Sequence, residues 1–274
     1  MKKTATIILN RNLPKVTDKL IKKINRYNKN YTDIFLVDSG SNKKLISKYT
    51  TWVFNSKKVK KFGLRFSRGM NYGLSQLYKE NKFNNYDFFF LVTNDTVVEN
   101  KPFINKLQNI LYKNKSIGML SPCSKKWGEY YLLKKNRLKF FWYIHNNAYF
   151  LKREFVEDIM NLKNPGYMNF LFDGNNFRGY GVEIEIIAKG YKKNWASAIT
   201  SDVTMEEDEN YLLNKNQLIK TDPFEKNIKL YLEEGKKWMK DKYGFSSKWA
   251  MQMYVKKFYE LFFKKNPDLI KFKL

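Results

Sequence analysis

The chain has only one cysteine, Cys123, and one histidine, His145, among its 274 residues. A single cysteine excludes an internal disulfide framework and argues against a cysteine-based metal site, and one cysteine with one histidine cannot build a zinc finger. No apolar run approaches the roughly 20 residues that a membrane span needs. Residues 4–9 are apolar, but they are shorter than a signal-peptide core and no small-residue cleavage site follows them. We therefore expect a cytoplasmic protein.

Glycine and proline are also scarce, with 13 and 6 residues, and no linker rich in Pro, Gly or Ser divides the chain. Internal repeats are absent as well. Hydrophobic residues make up 43% of the chain and aromatic residues 17%, a composition that argues against disorder. A chain of this length buries a sizeable core, either as one α/β domain with an appendage or as two small domains.

Acidic residues are few, since 26 Asp and Glu stand against 52 Lys and Arg, a formal net charge of +26. Such a balance invites a nucleic-acid function. The lysines, however, are spread along the whole chain, and no zinc-finger, basic-zipper or RNA-recognition signature is present. We expect no specific nucleic-acid partner, and we expect weak attraction to anionic membrane surfaces instead.

The first half of the sequence alternates predicted strands and helices. Residues 88–92 are five consecutive apolar residues, which is typical of a central strand covered on both faces. Further strands are predicted at 4–9, 33–37 and 51–55, and helices at 14–27, at 67–79 and after Asn100, which we expect to cap its helix. This order predicts right-handed βαβ units and a parallel sheet.

The second half predicts a mixed or antiparallel continuation. Residues 130–133 and 140–144 are expected to pair as a hairpin, 148–151 to add a strand, and 154–160 to form a short helix. We divide the chain into a catalytic domain, 1–204, and a C-terminal extension, 205–274, that begins with an acidic loop and continues with amphipathic helices.

Three polar clusters follow predicted strands: NRN at 10–12, DSGS at 38–41 and TND at 93–95. In a parallel sheet they open on one edge, where α/β proteins bind ligands. A carboxylate there, such as Asp95, is suited to hold a divalent cation that binds the phosphate groups of a ligand. Asp38 has two open interpretations, a contact to a nucleoside base or ribose and an Asx-turn that closes the strand. Asp95 likewise has the alternative of a capping residue.

A second carboxylate pair lies in the segment GYGVEIEIIAKG at 179–190. Its alternation fits a strand with both glutamates on one face, whereas its ending with a lysine and a glycine favours a helix with a glycine C-cap. We favour the helix. Residues two apart on a helix point to nearly opposite sides, so only one glutamate faces the pocket. Glu183, in the first turn, is the candidate, with a solvated glutamate at a helix N-terminus as the alternative.

Five segments together resemble family 2 glycosyltransferases of the GT-A fold. The DSGS turn is similar to their Asp-x-Gly-Ser turn, residues 67–74 to their segment with a small residue and Asn-x-Gly, and TNDTV at 93–97 to their metal-binding Asp-x-Asp motif. Residues 147–153 are similar to their Gly-Ala-x-x-Leu-x-Arg segment, and residues 180–185 to their Glu-Asp-x-Asp motif. The resemblance covers about residues 4 to 200, and its strength lies in the order of motifs that are individually weak.

The resemblance implies a single GT-A-like, Rossmann-like α/β domain with a mixed, mainly parallel sheet. It further implies an inverting transferase that moves a sugar from a UDP-, dTDP- or GDP-sugar to an acceptor hydroxyl, in polysaccharide or surface-glycan synthesis. Mg²⁺ or Mn²⁺ would bind at Asp95, and Glu183 would act as the catalytic base. The implied contacts to the nucleotide-sugar are Asn12, Asp38, Ser39, Arg68, Asn71, Asn94 and Asp95.

Two departures from the family pattern stand out. Thr93 replaces the first acid of the metal motif, and Glu183 replaces an aspartate, which moves the base one methylene outward. Relatives also carry a histidine after the last core strand, whereas here that region holds the acidic run 206–209. We interpret this run as a solvated loop, with a metal or acceptor role as the alternative, and His145 as structural or on the acceptor side.

Residues 248–264 interleave aromatic and aliphatic residues with lysines. One interpretation is a basic amphipathic helix on a membrane surface, close to a glycan or lipid-linked acceptor; the other is a helix packed on the catalytic domain. Two other enzyme classes are disfavoured. A sugar-nucleotide pyrophosphorylase needs a glycine-rich loop after the first strand, and residues 10–14 contain no glycine. A glycosidase needs two carboxylates on one site, and the predicted helix separates Glu183 from Glu185. The non-enzymatic alternative is a basic protein that binds anionic lipid or nucleic acid.

Overall fold

A computed structural model describes residues 4–145, 148–161, 165–208 and 224–274. The strands are β1 (Thr4–Asn10), β2 (Thr32–Asp38), β3 (Trp52–Val53), β4 (Phe88–Thr93), β5 (Thr96–Val97), β6 (Ile117–Cys123), β7 (Leu138–Phe140), β8 (Ala148–Lys152), β9 (Ala196–Thr204) and β10 (Glu206–Glu207). The helices are α1 (Pro14–Asn28), α2 (Lys57–Phe62), α3 (Arg65–Lys79), α4 (Ile104–Lys113), α5 (Glu129–Leu132), α6 (Arg153–Ile159), α7 (Val182–Lys192), α8 (Phe224–Tyr243) and α9 (Lys248–Lys265).

Eight strands form one mixed sheet in the order β3-β2-β1-β4-β8-β6-β9-β7. The four strands from β3 to β4 run parallel, β8 runs antiparallel to both of its neighbours, β6 and β9 are parallel, and β7 is antiparallel to β9. Strands β5 and β10 pair separately. The predicted α/β architecture, parallel in its first half and mixed in its second, is confirmed.

The centre of the sheet is buried on both faces, as the apolar run at 88–92 predicts. Residues Phe89 to Val92 have no exposed surface. Helix α3 lies close against β1 because two of its residues are glycines. A Cβ at Gly69 would come within 2.4 Å of Leu9, and one at Gly73 within 2.6 Å of Ile7. These contacts fix the helix that carries Arg68 and Asn71.

The cap predicted for α4 is wrong. The helix begins at Ile104, and the side chain of Asn28, at the end of α1, accepts hydrogen bonds from the backbone N–H groups of Phe103 and Ile104 at 2.9 Å each. Asn100 lies too far upstream to serve the first turn. The predicted inward face is confirmed, since Ile104, Leu107 and Leu111 are fully buried.

The hairpin predicted for residues 130–144 is also wrong. Residues Glu129–Leu132 form helix α5, whose Tyr131 and Leu132 are exposed, and Leu138–Phe140 form β7, which pairs with β9. Phe140 of β7 instead packs on aromatic rings of the C-terminal part of the chain, namely Phe262, Phe263 and Phe272. Strand β8 and helix α6 form where the sequence predicts them.

Helix α9 packs on the α/β core through a buried face that includes Met251, Val255, Tyr259 and Phe262. The turn Pro267–Phe272 then covers β7: Lys139 Nζ donates to the carbonyls of Lys271 and Lys273, and Phe272 stacks on Phe140 at 5.0 Å. Of the two interpretations of the tail, the packed helix is observed. Within the described ranges, every helix is too short or too polar to cross a bilayer.

Candidate active site

The polar ends of β1, β2 and β4 meet at one edge of the sheet, as predicted, and the buried amide of Asn10 joins them. Asn10 Nδ2 donates to Asp38 Oδ2 at 3.1 Å. Asn10 Oδ1 accepts from Thr17 Oγ1 at 2.8 Å and from Asn94 Nδ2 at 3.4 Å, and Asn94 also donates to Thr17. The sequence indicated Asn10 only as part of a cluster, and this linking role was not predicted.

Asp38 and Asn12 shape the loop that closes β2. Asp38 is fully buried, and its Oδ1 accepts the backbone N–H of Ser41, three residues further on, at 2.9 Å, which closes the turn after β2. Asn12 has a left-handed backbone (φ 56°); its N–H donates to Ser41 Oγ, and its Oδ1 accepts from the N–H of Asn42. Ser39 Oγ accepts from the N–H of Leu64. These contacts of Asp38 close the end of β2, and its contact to a nucleoside stays a prediction.

Asn71 uses its whole side-chain amide to hold the loop at residues 166–174. Its Oδ1 accepts the backbone N–H groups of Leu171 and Phe172 at 2.9 Å each, and its Nδ2 donates to the carbonyls of Tyr167 and Phe172. An amide has two donors and two acceptor positions, so these four bonds occupy it completely. The contacts describe an anchor of this loop and leave no donor or lone pair for a ligand.

Three arginines surround the ring of Phe177, which lies beside the first turn of α3. The guanidinium carbon lies 4.7 Å from the ring centre for Arg68 and 5.7 Å for Arg65 and Arg178. Arg68 Nε donates to the carbonyl of Gly174, and Arg65 and Arg178 both donate to Asn227 of α8. Burial lowers the pKa of Arg68. The sequence predicted Arg68 alone, and the other two arginines come from segments outside the family motifs.

Arg11 extends this positive region toward Asp38. Its Nη2 donates to the carbonyls of Lys60 and Lys61, at the end of α2. Its pKa is lowered to about 10, mainly by burial and then by the nearby Arg65, with Asp38 opposing the change. Grouped guanidinium groups of this kind favour an anionic ligand, because an anion relieves their mutual repulsion.

Asp95 lies after β4, where the short pairing of β5 with β10 brings the acidic segment back to it. Glu206 and Glu207 pair with Val97 and Thr96, and the N–H of Asp208 donates to the carbonyl of Asp95 at 2.9 Å. Asp95 and Asp208 line a cavity of about 90 Å³ beside Lys19 and Lys23 of α1. Residues 206–208 are therefore ordered against the strand edge, whereas the sequence suggested a solvated loop; residue 209 lies outside the described ranges.

The residues around Asp95 fit a divalent cation. Its Oδ1 is buried and has no hydrogen-bond partner within the described part of the chain, a costly state that a cation would relieve. No group of three His, Cys, Asp or Glu side chains suited to a metal occurs among the described residues. Mg²⁺ is commonly held by one or two carboxylates with substrate phosphates as further ligands, so one carboxylate suffices.

Glu183 lies in the first turn of α7, as predicted. The helix follows Gly179 and Gly181, whose φ angles of 86° and 80° turn the chain into the helix. Glu183 is only 1% exposed, and Lys248 Nζ, from the first residue of α9, lies 2.6 Å from its Oε1. This ion pair was not predicted, because Lys248 is 65 positions away in the sequence.

Two tyrosines border Glu183. Burial, followed by the negative charge of Glu183, raises the pKa of Tyr149 on β8 and that of Tyr231 on α8. Glu207 acts on both tyrosines in the same direction. Both phenols therefore stay protonated at neutral pH and are available as hydrogen-bond donors.

Glu185 faces away from this site. Its Oε1 forms an ion pair with Lys189 at 2.7 Å and accepts a hydrogen bond from Lys242 at 3.2 Å, and Glu185 lines a separate cavity of about 750 Å³ with Trp238 and Asp173. The two glutamates of α7 therefore lie in separate surroundings, as their spacing on a helix predicts.

His145 contacts Glu129 and Trp127. Its Nε2 is 3.1 Å from Glu129 Oε1, and its ring lies 4.5 Å from that of Trp127. The hydrogen bond with His145 is the main cause that lowers the pKa of Glu129 to about 2. These contacts agree with a structural or acceptor-side role for His145.

The arrangement of strands and helices is similar to solved GT-A glycosyltransferases. GalNAc-T7, solved with UDP, GalNAc and Mn²⁺, matches with a TM-score of 0.54 and 11% identity, over 76% of this chain and 44% of that one. TarS residues 1–349 from S. aureus, solved with UDP-GlcNAc, match with a TM-score of 0.52 and 13% identity, over 85% of this chain and 66% of that one.

At these identities the likeness concerns the fold, and this chain spans less than two thirds of either protein. No protein-family model and no curated protein matches the sequence. The fold is GT-A-like: a mixed, mostly parallel eight-stranded sheet flanked by helices, with further helices at the C-terminus.

Proposed function

We propose that the protein is a nucleotide-sugar-dependent glycosyltransferase that inverts the anomeric centre. The observation that carries the proposal is a GT-A-like fold in which Asp95, with its buried unpartnered oxygen, follows β4 while the buried Glu183 begins α7. In open α/β sheets these ends of the strands are the ligand-binding edge.

The donor lies, in this proposal, across the ends of β1, β2 and β4. The loop shaped by Asn12, Asp38 and Ser39 receives the nucleoside, and Asn94 holds the β4 end against Asn10. The arginines around Phe177 attract the diphosphate through their charge, with Arg68 as the nearest to the ring. Asn71 contributes indirectly, through the loop that it anchors.

Asp95 would hold Mg²⁺ or Mn²⁺, which when bound neutralises charge on the departing diphosphate. Thr93 stands where the family motif has an acid. Its hydroxyl oxygen lies 3.1 Å from that of Thr96, and it adds no negative charge to the site. The affinity for metal therefore depends on Asp95 and on the phosphates of the donor, so that metal and donor bind together.

Glu183 takes the proton of the acceptor hydroxyl while the acceptor oxygen forms a bond to the anomeric carbon. The bond from that carbon to the β-phosphate oxygen breaks, and its electron pair leaves with the nucleoside diphosphate. No covalent enzyme intermediate is required. The buried surroundings of Glu183 exclude water, which would otherwise compete as acceptor.

The acceptor is, in this proposal, a surface glycan or a lipid-linked sugar, reached at the inner face of a membrane. The outward side of α9 supports this extension, since Trp249 is 69% exposed and Leu261 is 50% exposed beside the exposed Lys257. Such a face binds anionic lipid through apolar contact and charge. This helix face is also what the non-enzymatic alternative, a basic lipid- or nucleic-acid-binding protein, would use.

A thermal-shift experiment separates the two functions. The purified chain is heated with UDP-, dTDP- and GDP-sugars, each with Mn²⁺ and with EDTA. A donor at about 100 times its Kd stabilises the folded state by about 2.7 kcal/mol, and we expect this with one nucleotide class in the presence of Mn²⁺ only. Stabilisation by anionic lipid or oligonucleotide, with none by any donor, would support the binding protein and contradict the transferase.

A further inference from the structure

The ion pair between Lys248 and Glu183 joins the last long helix to the candidate active site. Lys248 Nζ lies 2.6 Å from Glu183 Oε1, and the two side chains are 26% and 2% exposed. The hydroxyl of Ser247 accepts the N–H of Ala250, which fixes the first turn of α9 and with it the start of the lysine side chain. The contact therefore joins two helix N-termini, that of α7 and that of α9.

Lys248 occupies a position that is unfavourable for a cation. The N-terminus of a helix carries partial positive charge and favours acidic residues, but the first turn of α9 reads KWAM. A lysine at this end is repelled by the helix unless a nearby anion compensates. Glu183 is that anion, and a residue that breaks a local rule in this way is often functional.

The charged and titratable groups that the structure describes around Glu183 come from four other elements. Lys248 comes from α9, Tyr149 from β8, Tyr231 from α8 and Glu207 from β10. Tyr180, before α7, lies against the lysine, whose Nζ is 5.2 Å from the ring centre. Lys248 is thus the one cation in this described set, which otherwise holds phenols and a second carboxylate.

We infer that Lys248 is a positioning residue, which keeps Glu183 ionised and oriented so that it accepts the proton of the acceptor hydroxyl. The inference rests on the proposed function. A buried carboxylate is costly to ionise without a partner, and a neutral acid is unable to act as base. In this account α9 belongs to the catalytic unit, although the family resemblance ends near residue 200.

The test compares Lys248→Met with Lys264→Met, a matched loss of one lysine from the exposed side of the same helix. Donor binding is measured by the thermal shift with Mn²⁺, and kcat and kcat/KM are measured from pH 5 to 9. For Lys248→Met we expect unchanged donor binding, a fall in kcat of about tenfold or more, and a low-pH limb of kcat/KM moved up by about one pH unit or more. Lys264→Met and Lys248→Arg should keep the low-pH limb of kcat/KM at its wild-type position.

A second variant covers the case in which Lys248→Met fails to fold. Lys248→Cys treated with 2-bromoethylamine regains an ammonium group at nearly the same position, while the buried Cys123 stays protected. Recovery of kcat and of the low-pH limb after this treatment supports the inference. A purely structural lysine would change melting temperature without moving the pH profile, and that result overturns it.

The two proposals fail in different ways. Wild-type protein that neither binds nor turns over any nucleotide-sugar contradicts the proposed function. Wild-type turnover combined with a Lys248→Met profile equal to that of Lys264→Met contradicts only the positioning role.

Discussion

Glu183 and Glu185, two residues apart on α7, are both buried and point to opposite sides of the helix, where each meets a lysine from a different C-terminal helix. Glu183 pairs with Lys248 of α9 and Glu185 with Lys242 of α8. The second pair belongs to a network with Asp173, which accepts from Lys242 and from Trp238 and fastens the loop at 166–174 to α8. One turn of α7 thus serves the candidate catalytic site on one side and the attachment of α8 on the other.

Glu183→Gln should abolish turnover without loss of donor binding. The amide keeps the size of the side chain but is unable to accept a proton, and loss of a general base lowers kcat by about 10² to 10⁴. Steady-state kinetics and the donor-induced thermal shift measure the two effects. The matched control is Glu185→Gln, which should retain most of kcat; equal losses in both variants would contradict the assignment of the base.

Asp95→Ala should remove the metal dependence of donor binding. Because Asp95 is the proposed protein ligand and Thr93 adds no charge, Mn²⁺ should no longer increase the thermal shift caused by the donor. Calorimetric titration of the donor with Mn²⁺ and with EDTA measures the difference. Asp208→Asn, which keeps the backbone contact to Asp95, is the control. If donor binding by Asp95→Ala still increased with Mn²⁺, the metal would bind at other residues.

Asn71→Ala should destabilise the fold by about 3 kcal/mol. The substitution leaves buried backbone groups of the loop at 166–174 without partners, and each such group costs about 1 to 3 kcal/mol before the loop rearranges. Urea unfolding measures the change. Asn100→Ala is the control, since Asn100 is exposed and does not cap α4, and it should change stability by less than about 0.5 kcal/mol.

Glu129 should make stability depend on pH in the acidic range. Its pKa is lowered from 4.5 to about 2, first by the hydrogen bond with His145. A lowered carboxyl pKa stabilises the folded state above pH 4.5, and this stabilisation is lost as the pH falls from 4.5 to 2. Urea midpoints measured across this window should fall less steeply for Glu129→Gln than for the wild type. Glu233→Gln, on the exposed side of α8, should follow the wild type.

A double variant with serine at both Trp249 and Leu261 should bind anionic vesicles at least tenfold more weakly than the wild type. Each apolar side chain that enters the lipid interface contributes about 1.5 to 3 kcal/mol. Cosedimentation with vesicles of phosphatidylglycerol and phosphatidylcholine measures the loss. Tyr131→Ser, at an equally exposed aromatic residue on α5, is the control. Equal binding by all three proteins would show that α9 is not the membrane face.

The features predicted correctly from the sequence are local. A central strand follows from the unbroken apolar run at 88–92. The helix predicted at 182–190 also forms, but the predicted glycine C-cap is wrong, because α7 continues past Gly190 to Lys192. The meeting of three strand ends follows from the topology of a parallel sheet. Each of these arguments needs only residues close in sequence and a rule about strand direction.

The features that sequence reasoning missed depend on contacts across long distances in the chain. Asn10 joins three strand ends only once the register is set, and Asn28 replaces Asn100 as a cap because α1 ends beside α4. The residues of β7, Leu138 to Phe140, alternate apolar and charged side chains, a pattern that fits a local hairpin equally well. For Lys248, one signal was present in the sequence: a lysine in a helix first turn that contains no acid.

The turn at Pro267–Phe272 has a consequence for folding. Strand β7 is the last strand of the sheet, and an uncovered edge strand offers its backbone to other chains. Because residues 271–273 hold Lys139 and Phe272 lies on Phe140, this edge is shielded only after residues 267–273 have left the ribosome. Until then β7 and the apolar surface beneath it are open, so folding should be most prone to aggregation before this turn docks.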